Sequence, residues 1–426
     1  MAHLILGNED PSQPTDGGYV VTPEMRRIMA TEGYISLQQG SQRLRNLYQD
    51  NAKNFDVNRF SPLALACFCG RAGEVKAAME LGWSPDLNAA ETPYKLGYCA
   101  LVILGAQRIH SGPPGTDHTE LLKYLLRSGA PPDVEDIAGY TALNHATMNY
   151  GSKVDLARIL LENGANPNHR TRYGAVPILD SMQSAQIECI ELLMEFGADL
   201  DIPDADGVLP SQFFVGAGPK IAAVVSKWLR KRSGEDAPLD EKKCKTCGKT
   251  EGSLKQCGKC HIVKYCSAEC QRQDWRTHKQ TCRPFGHTNT VTLKPSYNTY
   301  GNLIPTSDFT RRAMGIPTEP TPERNTRGSH APKTSAYPKS VIIKVQVPYA
   351  GPGITAVSTG DLLIYTKKRD FVCTIEYNNN RDGHRRVSEV VRDKGLGGAK
   401  AYFAAELKSK DELVVKVDEV LAAQPF

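Results

Sequence analysis

The sequence contains no run of apolar residues that approaches the roughly 18 needed to cross a membrane. Its first ten residues include no lysine or arginine, and their apolar stretch is far shorter than that of a secretory signal. The net charge of +5 over 426 residues is mild and by itself indicates no particular partner. These absences predict an intracellular protein, cytoplasmic or nuclear, whose cysteine thiols stay reduced.

Motifs of catalysis are missing as well. The glycine cluster at residues 395–398 lacks the Gly-Lys-Ser/Thr ending of a phosphate-binding loop. The tetrapeptide KDEL at residues 410–413 lies inside the chain, so it does not act as a retention signal. Four cysteines in apolar segments are expected to be small buried thiols and not nucleophiles: Cys67, Cys69, Cys99 and Cys189. We therefore predict that the protein is not an enzyme.

Metal-ligand residues, in contrast, are concentrated at residues 244–282, with the spacing C-x2-C-x9-C-x2-C-x5-C-x3-C-x7-H-x3-C. The eight residues are Cys244, Cys247, Cys257, Cys260, Cys266, Cys270, His278 and Cys282. Because zinc takes four such ligands in a tetrahedron, the pattern predicts two zinc ions per chain in closed, structural sites. So short a segment buries little core, and zinc would supply most of its folding free energy. A disulfide framework, the alternative for clustered cysteines, is disfavoured in a reducing compartment.

The residues between these ligands narrow the prediction. Residues 265–282 read YCSAECQRQDWRTHKQTC and resemble the second half of a MYND zinc finger, YC-x3-CQ-x2-DW-x2-HK-x2-C. The resemblance implies interleaved sites: Cys244, Cys247, Cys266 and Cys270 on one ion, and Cys257, Cys260, His278 and Cys282 on the other. The spacing alone leaves a sequential arrangement open, with the first four ligands on one ion and the last four on the other.

The same resemblance implies a binding function. MYND fingers are protein-interaction domains, and several take short proline-rich peptides of the P-x-L-x-P type. Gln271 and Trp275 match positions that line the peptide groove of the family, and their spacing of four places them on one helix face. Gly258 departs from a peptide-binding relative, which carries a serine there. The alternative for Trp275 is packing against Tyr265 and the zinc ligands.

Nucleic acid is the rival partner for a zinc finger. Residues 241–285 hold eleven Lys/Arg and four Asp/Glu, and with seven thiolates and two zinc ions the net charge is +4. This surface is less basic than the concentrated stripe of a groove reader. The spacing also differs from the C-x2-4-C-x12-H-x3-5-H of a DNA-reading finger. A DNA-binding regulator is therefore an alternative, and nucleic acid is not the expected partner.

Upstream of the finger the chain repeats itself. Residues 125–130, 160–165 and 193–198 share a pattern ending in Gly-Ala, and their glycines are 35 and 33 residues apart. Together with TALNHA at residues 141–146 and SPLALA at residues 61–66, they resemble ankyrin repeats, which have a period near 33. The resemblance implies an all-α ankyrin-repeat solenoid of about five repeats over residues 60–232, with a concave binding surface.

The flanking segments are less distinctive. Residues 1–59 are expected to hold a helix that begins at Thr22-Pro23-Glu24 and a second one, at residues 42–48, that caps the open end of the repeats. After the finger at 241–285, residues 286–338 have few apolar residues and many prolines, which predicts a disordered linker. Residues 339–426 predict a small α+β domain of unknown type, with strands at 341–347, 362–365 and 371–377 and helix over 387–407 interrupted by glycines.

These features favour a multidomain, zinc-binding adaptor for protein–protein interaction, with proline-rich segments among its partners, no membrane, and a role in transcriptional regulation if it is nuclear. The enzymatic alternative is a relative of SET-type lysine methyltransferases, because MYND fingers also occur inserted in SET domains. The sequence has no Asn-His-x-x-x-Pro-Asn-like pocket, and the residues after the finger are too few for that domain.

Overall fold

The computed structural model describes residues 16–109, 112, 114–148, 151–235, 237–239, 242–297, 308, 328–332, 337–348 and 360–426. The chain forms two compact units, Met1–Phe213 and Phe214–Phe426, and each is described by itself. Across the described residues, no helix is long and apolar enough to cross a membrane.

The first unit is helical. Its helices are α1 (Pro23–Met29), α2 (Ser41–Ala52), α3 (Pro62–Cys69), α4 (Ala72–Glu80), α5 (Tyr98–Arg108), α6 (His118–Arg127), α7 (Ala142–Thr147), α8 (Val154–Glu162), α9 (Pro177–Gln183), α10 (Ile187–Glu195) and α11 (Pro210–Gly216), the last of which runs into the second unit. A two-residue hairpin, β1 (Ala90–Glu91) with β2 (Leu96–Gly97), precedes α5. From α3 onward the helices follow one another in pairs, as the repeat pattern predicts.

Glycines end the second helices of these pairs. Gly129, Gly164 and Gly197 have φ angles of 96°, 89° and 87°, in the left-handed region where a side chain would be strained. Each terminates its helix in the manner that the repeated Gly-Ala pattern indicates. The helices themselves begin at the expected caps. For example, the Ser61 hydroxyl accepts a hydrogen bond from Ala64 N at the start of α3.

A ladder of backbone hydrogen bonds joins the loops between the pairs. Ile137 N donates to Tyr94 O at 3.0 Å, Arg172 N to Ala138 O at 2.9 Å, and Ala205 N to Tyr173 O at 2.9 Å. Each bond links a loop to the equivalent loop of the preceding repeat, so consecutive repeats have a common register. Glycine is required at this approach: a Cβ on Gly139 would lie 2.7 Å from Arg172 N.

The N-terminal segment lies along this row of loops. Ile35 N donates to Arg172 O at 2.8 Å, Leu37 N donates to Asp206 Oδ1 at 2.9 Å, and the Tyr48 hydroxyl donates to Asp136. These acceptors belong to three successive loops. That α2 caps the open end of the repeats stays a prediction, and the structure shows in addition that Tyr48 of α2 packs against Tyr94 and Tyr140 at the loops.

The second unit begins with the end of α11 and α12 (Pro219–Ser233), and contains a small hairpin, β3 (Lys255–Gln256) with β4 (Lys264–Tyr265), and α13 (Ala268–Thr281). A six-stranded antiparallel sheet follows, with β5 (Thr290–Leu293), β6 (Lys339–Gln346), β7 (Leu362–Thr366), β8 (Val372–Ile375), β9 (Lys400–Ser409) and β10 (Glu412–Lys416). The strand order is β5-β10-β9-β6-β7-β8, and α14 (Arg381–Lys394) lies between β8 and β9 in the chain.

Alternation along the strands gives the sheet two apolar faces. Ile343 and Val345 of β6 belong to a core with Val387 and Val391 of α14, whereas Ile342 faces a second core on the opposite side. Successive side chains of a strand point to opposite faces, so one sheet supports both cores. The predicted strands at 341–347, 362–365 and 371–377 correspond to β6, β7 and β8.

Two expectations for this region need correction. Residues 290–293, placed in the disordered linker by their polar surroundings, form β5 and pair with β10, where Leu413 faces Leu293. Residues 400–407, expected to be the last part of a helix over 387–407, form β9, which pairs with β6 and β10. Burial between two neighbouring strands overrides the weak helix propensity of these residues. Most of the remaining predicted linker lies outside the described residues.

Candidate metal centre

The first group of ligand atoms joins the start of the finger to the start of α13. Cys244 and Cys247 precede β3, Cys266 follows β4, and Cys270 lies in the first turn of α13. The four sulfur atoms lie within 4.8 Å of one another. The Cys247–Cys266 and Cys266–Cys270 Sγ separations are 3.5 and 3.6 Å. Tetrahedral zinc with Zn–S bonds of about 2.3 Å requires sulfur separations of about 3.8 Å, so this group fits the ion.

Backbone donors favour thiolate at Cys244. Burial of Cys244 opposes its ionisation, but N–H groups of Cys247, Cys266 and Thr246 that point at its sulfur lower its pKa to about 6. The thiolate is the form that binds zinc. The fold therefore stabilises the thiolate at this one ligand, whereas hydrogen bonds with the Cys247 and Cys270 sulfurs raise the pKa of Cys266.

The second group lies toward the other end of α13. It contains Cys257 and Cys260 from the loop after β3, His278 from α13, and Cys282 just beyond the helix, all within 4.8 Å of one another. The Cys260 Sγ and His278 Nε2 atoms are 3.7 Å apart. Cys270 and His278 are two turns apart on one helix, so α13 contributes to both groups. The structure thus brings together the interleaved sets that the family resemblance implies, and not the sequential ones.

Hydrogen bonds hold the hairpin against the helix. The Tyr265 hydroxyl donates to Asp274 Oδ2 at 2.7 Å, and the Thr246 hydroxyl donates to the Cys270 carbonyl at 2.7 Å. The Ser267 hydroxyl caps α13 by accepting from Cys270 N at 3.2 Å. Each of these contacts involves a ligand residue or its neighbour in the sequence. The protein's own hydrogen bonds therefore help to position the ligand residues.

The two predicted groove residues lie one turn apart on α13, and each is partly exposed. The Trp275 ring lies 6.0 Å from the His278 ring, and the Tyr265 ring also contacts His278, at 6.2 Å. The Trp275 indole thus packs against His278, a predicted zinc ligand, while part of its surface stays exposed to solvent.

Sequence reasoning did not single out Lys259. Its Nζ atom lies over the Trp275 ring, 5.4 Å from the centroid. The residue sits between the third and fourth ligands, next to Gly258. Among the described residues, a Cβ at position 258 would meet no atom within 4 Å, so the serine of a peptide-binding relative would fit without displacement. No spacing pattern marks this lysine, because its position depends on the folded ligand loop.

The finger also packs against the outer face of the six-stranded sheet. Its Ile262 and Tyr265 share an apolar core with Tyr402, Ala404 and Leu421. His261 Nδ1 and the Ser340 hydroxyl are 2.8 Å apart, which ties the second ligand loop to the start of β6. The finger is therefore not joined to the sheet by a linker alone. Nothing in the sequence pattern predicted this contact, since the two surfaces are 80 to 160 residues apart.

Family comparisons identify both modules. The MYND finger family matches residues 244–282, and the family of ankyrin repeats, in three copies, matches residues 115–204. The chain therefore contains ankyrin repeats and a MYND finger, a zinc-binding module whose two Cys/His clusters can hold two ions. Ankyrin repeats and MYND fingers are non-catalytic modules that generally mediate protein–protein interactions.

Curated relatives share parts of the chain. It is 26% identical over 213 residues to E3 ubiquitin-protein ligase KEG of Arabidopsis thaliana, covering 49% of this chain and 12% of that protein. It is 31% identical over 108 residues to ankyrin repeat-containing protein P1E11.10 of Schizosaccharomyces pombe, covering 24% and 49%. It is 41% identical over 51 residues to SET domain-containing protein 14 of Caenorhabditis elegans, covering 12% of each. The chain thus matches at most half the length of these relatives.

Proposed function

We propose that this protein is a non-enzymatic, zinc-binding adaptor that holds partner proteins at its ankyrin repeats and at its MYND finger, where it takes short proline-rich peptides. The observation that carries the proposal is the partly exposed Trp275 ring beside Gln271 on α13. An aromatic ring fixed on a small rigid domain is a surface on which proline rings stack, and a neighbouring amide can bond to the peptide backbone.

In this proposal zinc is structural. One ion is held by Cys244, Cys247, Cys266 and Cys270, and the other by Cys257, Cys260, His278 and Cys282. Each set supplies four ligand atoms within 4.8 Å of one another, which completes a tetrahedron and leaves no position for a substrate or an activated water. The finger therefore has no metal chemistry to offer a reaction, and its contribution is a folded surface.

The ankyrin repeats supply the second binding surface. The segment of residues 16–59 already covers loops of several repeats, through contacts to Asp136, Arg172 and Asp206. We therefore propose that a partner of the repeats docks on the helices away from the covered loops. Two linked sites of modest affinity give stronger binding together than either gives alone, provided that one partner can reach both.

The test is a titration of the full-length, zinc-loaded chain with a fluorescent P-x-L-x-P peptide. We expect Trp275→Ala to weaken binding by about tenfold or more, because truncating an aromatic anchor removes its whole stacking surface. Zinc content should stay at two ions per chain, since the indole ligates neither ion.

Trp83→Ala serves as the matched control. Trp83 is a partly exposed tryptophan of the first unit, Met1–Phe213, which contains the ankyrin repeats and is called the ankyrin unit from here on. Its removal should leave peptide affinity unchanged. Peptide affinity that survives Trp275→Ala, or a wild-type chain that binds no proline-rich peptide, would overturn the groove assignment and move the adaptor function to the repeats.

A further inference from the structure

We propose that the proline-rich peptide bound by the finger carries an acidic residue beside its prolines, and that Lys259 and Lys279 recognise that residue. The inference rests on the proposed function, since it concerns the same groove. It adds a charge requirement that the match to the family motif does not contain.

The first lysine is fixed beside the indole. The backbone N–H groups of Lys259 and Cys260 point at the Cys257 sulfur, so the ligand loop holds the lysine backbone in place. Its side chain is exposed, and its Nζ lies 5.4 Å from the centre of the Trp275 ring. A ligand that stacks on this indole therefore comes within reach of the Lys259 ammonium group.

The second lysine extends the same helix face. Gln271, Trp275 and Lys279 are spaced by four residues along α13, so their side chains follow one another on one side of the helix. Lys279 is exposed at the end beyond Trp275. A peptide that runs along this face and contacts the Gln271 amide and the Trp275 indole continues toward the Lys279 ammonium group.

The carboxylates of α13 are engaged elsewhere. Asp274 accepts the Tyr265 hydroxyl at 2.7 Å, and Glu269 pairs with Arg272 at 2.7 Å. In the part of the chain that the structure describes, no carboxylate lies within ion-pair distance of Lys259 or Lys279. Among the described residues of the finger, neither of these two lysines has an acidic partner, and a peptide carboxylate would complement them.

The expected effect is moderate and depends on salt. Exposed ion pairs contribute little individually, so two of them should change affinity by about threefold to tenfold in total. Added salt should reduce the difference, because dissolved ions screen solvent-exposed charges, with a screening length of about 10 Å at 0.1 M ionic strength. Arrival of the peptide should also be faster at low salt, since complementary charge steers association.

The experiment compares two fluorescent P-x-L-x-P peptides that differ only in flanking residues, one with two glutamates and one with two glutamines. Both are titrated against the full-length, zinc-loaded chain at low and high salt, and against Lys259→Gln, Lys279→Gln and the double variant. We expect the glutamate peptide to bind the wild type about threefold to tenfold more tightly. That ratio should fall toward one in the double variant. Lys249→Gln, an exposed lysine in the loop of the other ligand set, is the control and should keep the ratio.

The possible outcomes distinguish the charge requirement from the proposed peptide-binding function. Equal affinities of the two peptides, both lost in Trp275→Ala, would overturn the charge requirement and leave the proposed function standing. A ratio that survives the double variant would overturn the assignment to these two lysines. If neither peptide binds the wild type, the proposed function fails and this inference fails with it.

Discussion

At the scale of single residues, Asp180 on α9 is a half-buried acid whose surroundings oppose its ionisation. Burial raises its pKa to about 7, and the Arg45 guanidinium and the Asn144 amide offset this only in part. Among the described residues, its Oδ2 atom has no hydrogen-bond partner. The ankyrin unit thus holds a carboxyl group that is easier to bury as the neutral acid.

This raised pKa makes stability depend on pH. An unfolded aspartate has a pKa of about 3.9, so between about pH 4 and pH 7 the unfolded chain releases this proton while the folded chain keeps it. Stability therefore falls as the pH rises through that window, by on the order of 4 kcal/mol, and the loss is complete above about pH 7. We predict that Asp180→Asn raises the thermal stability of the ankyrin unit at pH 7.5 and changes it little at pH 4. Thermal unfolding followed by circular dichroism at both values measures the effect.

Asp201→Asn provides the comparison, because Asp201 is exposed and its replacement should leave the pH dependence as in the wild type. If the Asp180→Asn variant and the wild type lose equal stability between pH 4 and pH 7.5, then Asp180 ionises in the folded state without an energetic penalty.

The sequence predicted the roles of single residues where those roles follow from the residue type and from its near neighbours in the sequence. The eight ligand residues were identifiable because cysteine and histidine at close spacing have few other uses, and the structure gathers those same residues into two groups. Lys259 was not identifiable as a neighbour of Trp275, since one lysine among eleven basic residues of the finger carries no distinguishing signal. The raised pKa of Asp180 likewise depends on its folded surroundings, in which Arg45 of α2, far away in the sequence, offsets part of the effect of burial.

At the scale of elements, the sequence signals for the starts and ends of helices were informative. The pairing of strands that are distant in the sequence could not be predicted from it. The helix predicted to begin at Thr22 does so, with the Thr22 hydroxyl accepting from Met25 N at 3.2 Å. In contrast, β9 contains alanines that favour helix locally, and its strand conformation comes from eight pairings with β6. Strand β5 was hidden because its four residues lie in a polar stretch.

The contact between finger and sheet leads to a prediction about Cys257. This cysteine belongs to the second ligand group and also to the apolar core shared with Tyr402 and Leu421. We predict that Cys257→Ser lowers zinc content from two ions to one, collapses the amide dispersion of the finger, and shifts amide resonances of β9 around Tyr402. Ankyrin resonances should keep their positions, because the repeats fold without zinc.

Metal analysis and amide NMR spectra of the full chain measure these effects. Cys373→Ser is the matched control: Cys373 is a buried thiol on β8, outside both ligand groups, and its substitution should leave both zinc ions in place. Two ions retained in Cys257→Ser would refute its role as a ligand, and unchanged β9 resonances would refute the coupling of finger and sheet.

At the scale of the whole molecule, the N-terminal segment changes what the ankyrin unit offers a partner. Met25, Ile35 and Leu44 are fully buried, so the segment is packed and not merely adjacent. Tyr48 of α2 contacts the rings of Tyr94 and Tyr140, with centroid separations of 4.8 and 5.9 Å. The repeat period predicted the repeats themselves, but a segment without repeat character carries no signal for the surface that it covers.

The last prediction separates a covering segment from an integral part of the ankyrin core. Leu44→Asp places a charge at a fully buried position of α2, and burial of an unpaired charge is costly enough to detach the helix. We expect limited proteolysis to cut within residues 16–59 much faster than in the wild type, while the helical signal of the repeats and two zinc ions are retained. Gln42→Asp, on the exposed side of the same helix, should leave cleavage unchanged. If Leu44→Asp instead abolishes the helical signal, the repeats need this segment to fold, and the covered loops are a permanent interior and not a surface that a partner can reach.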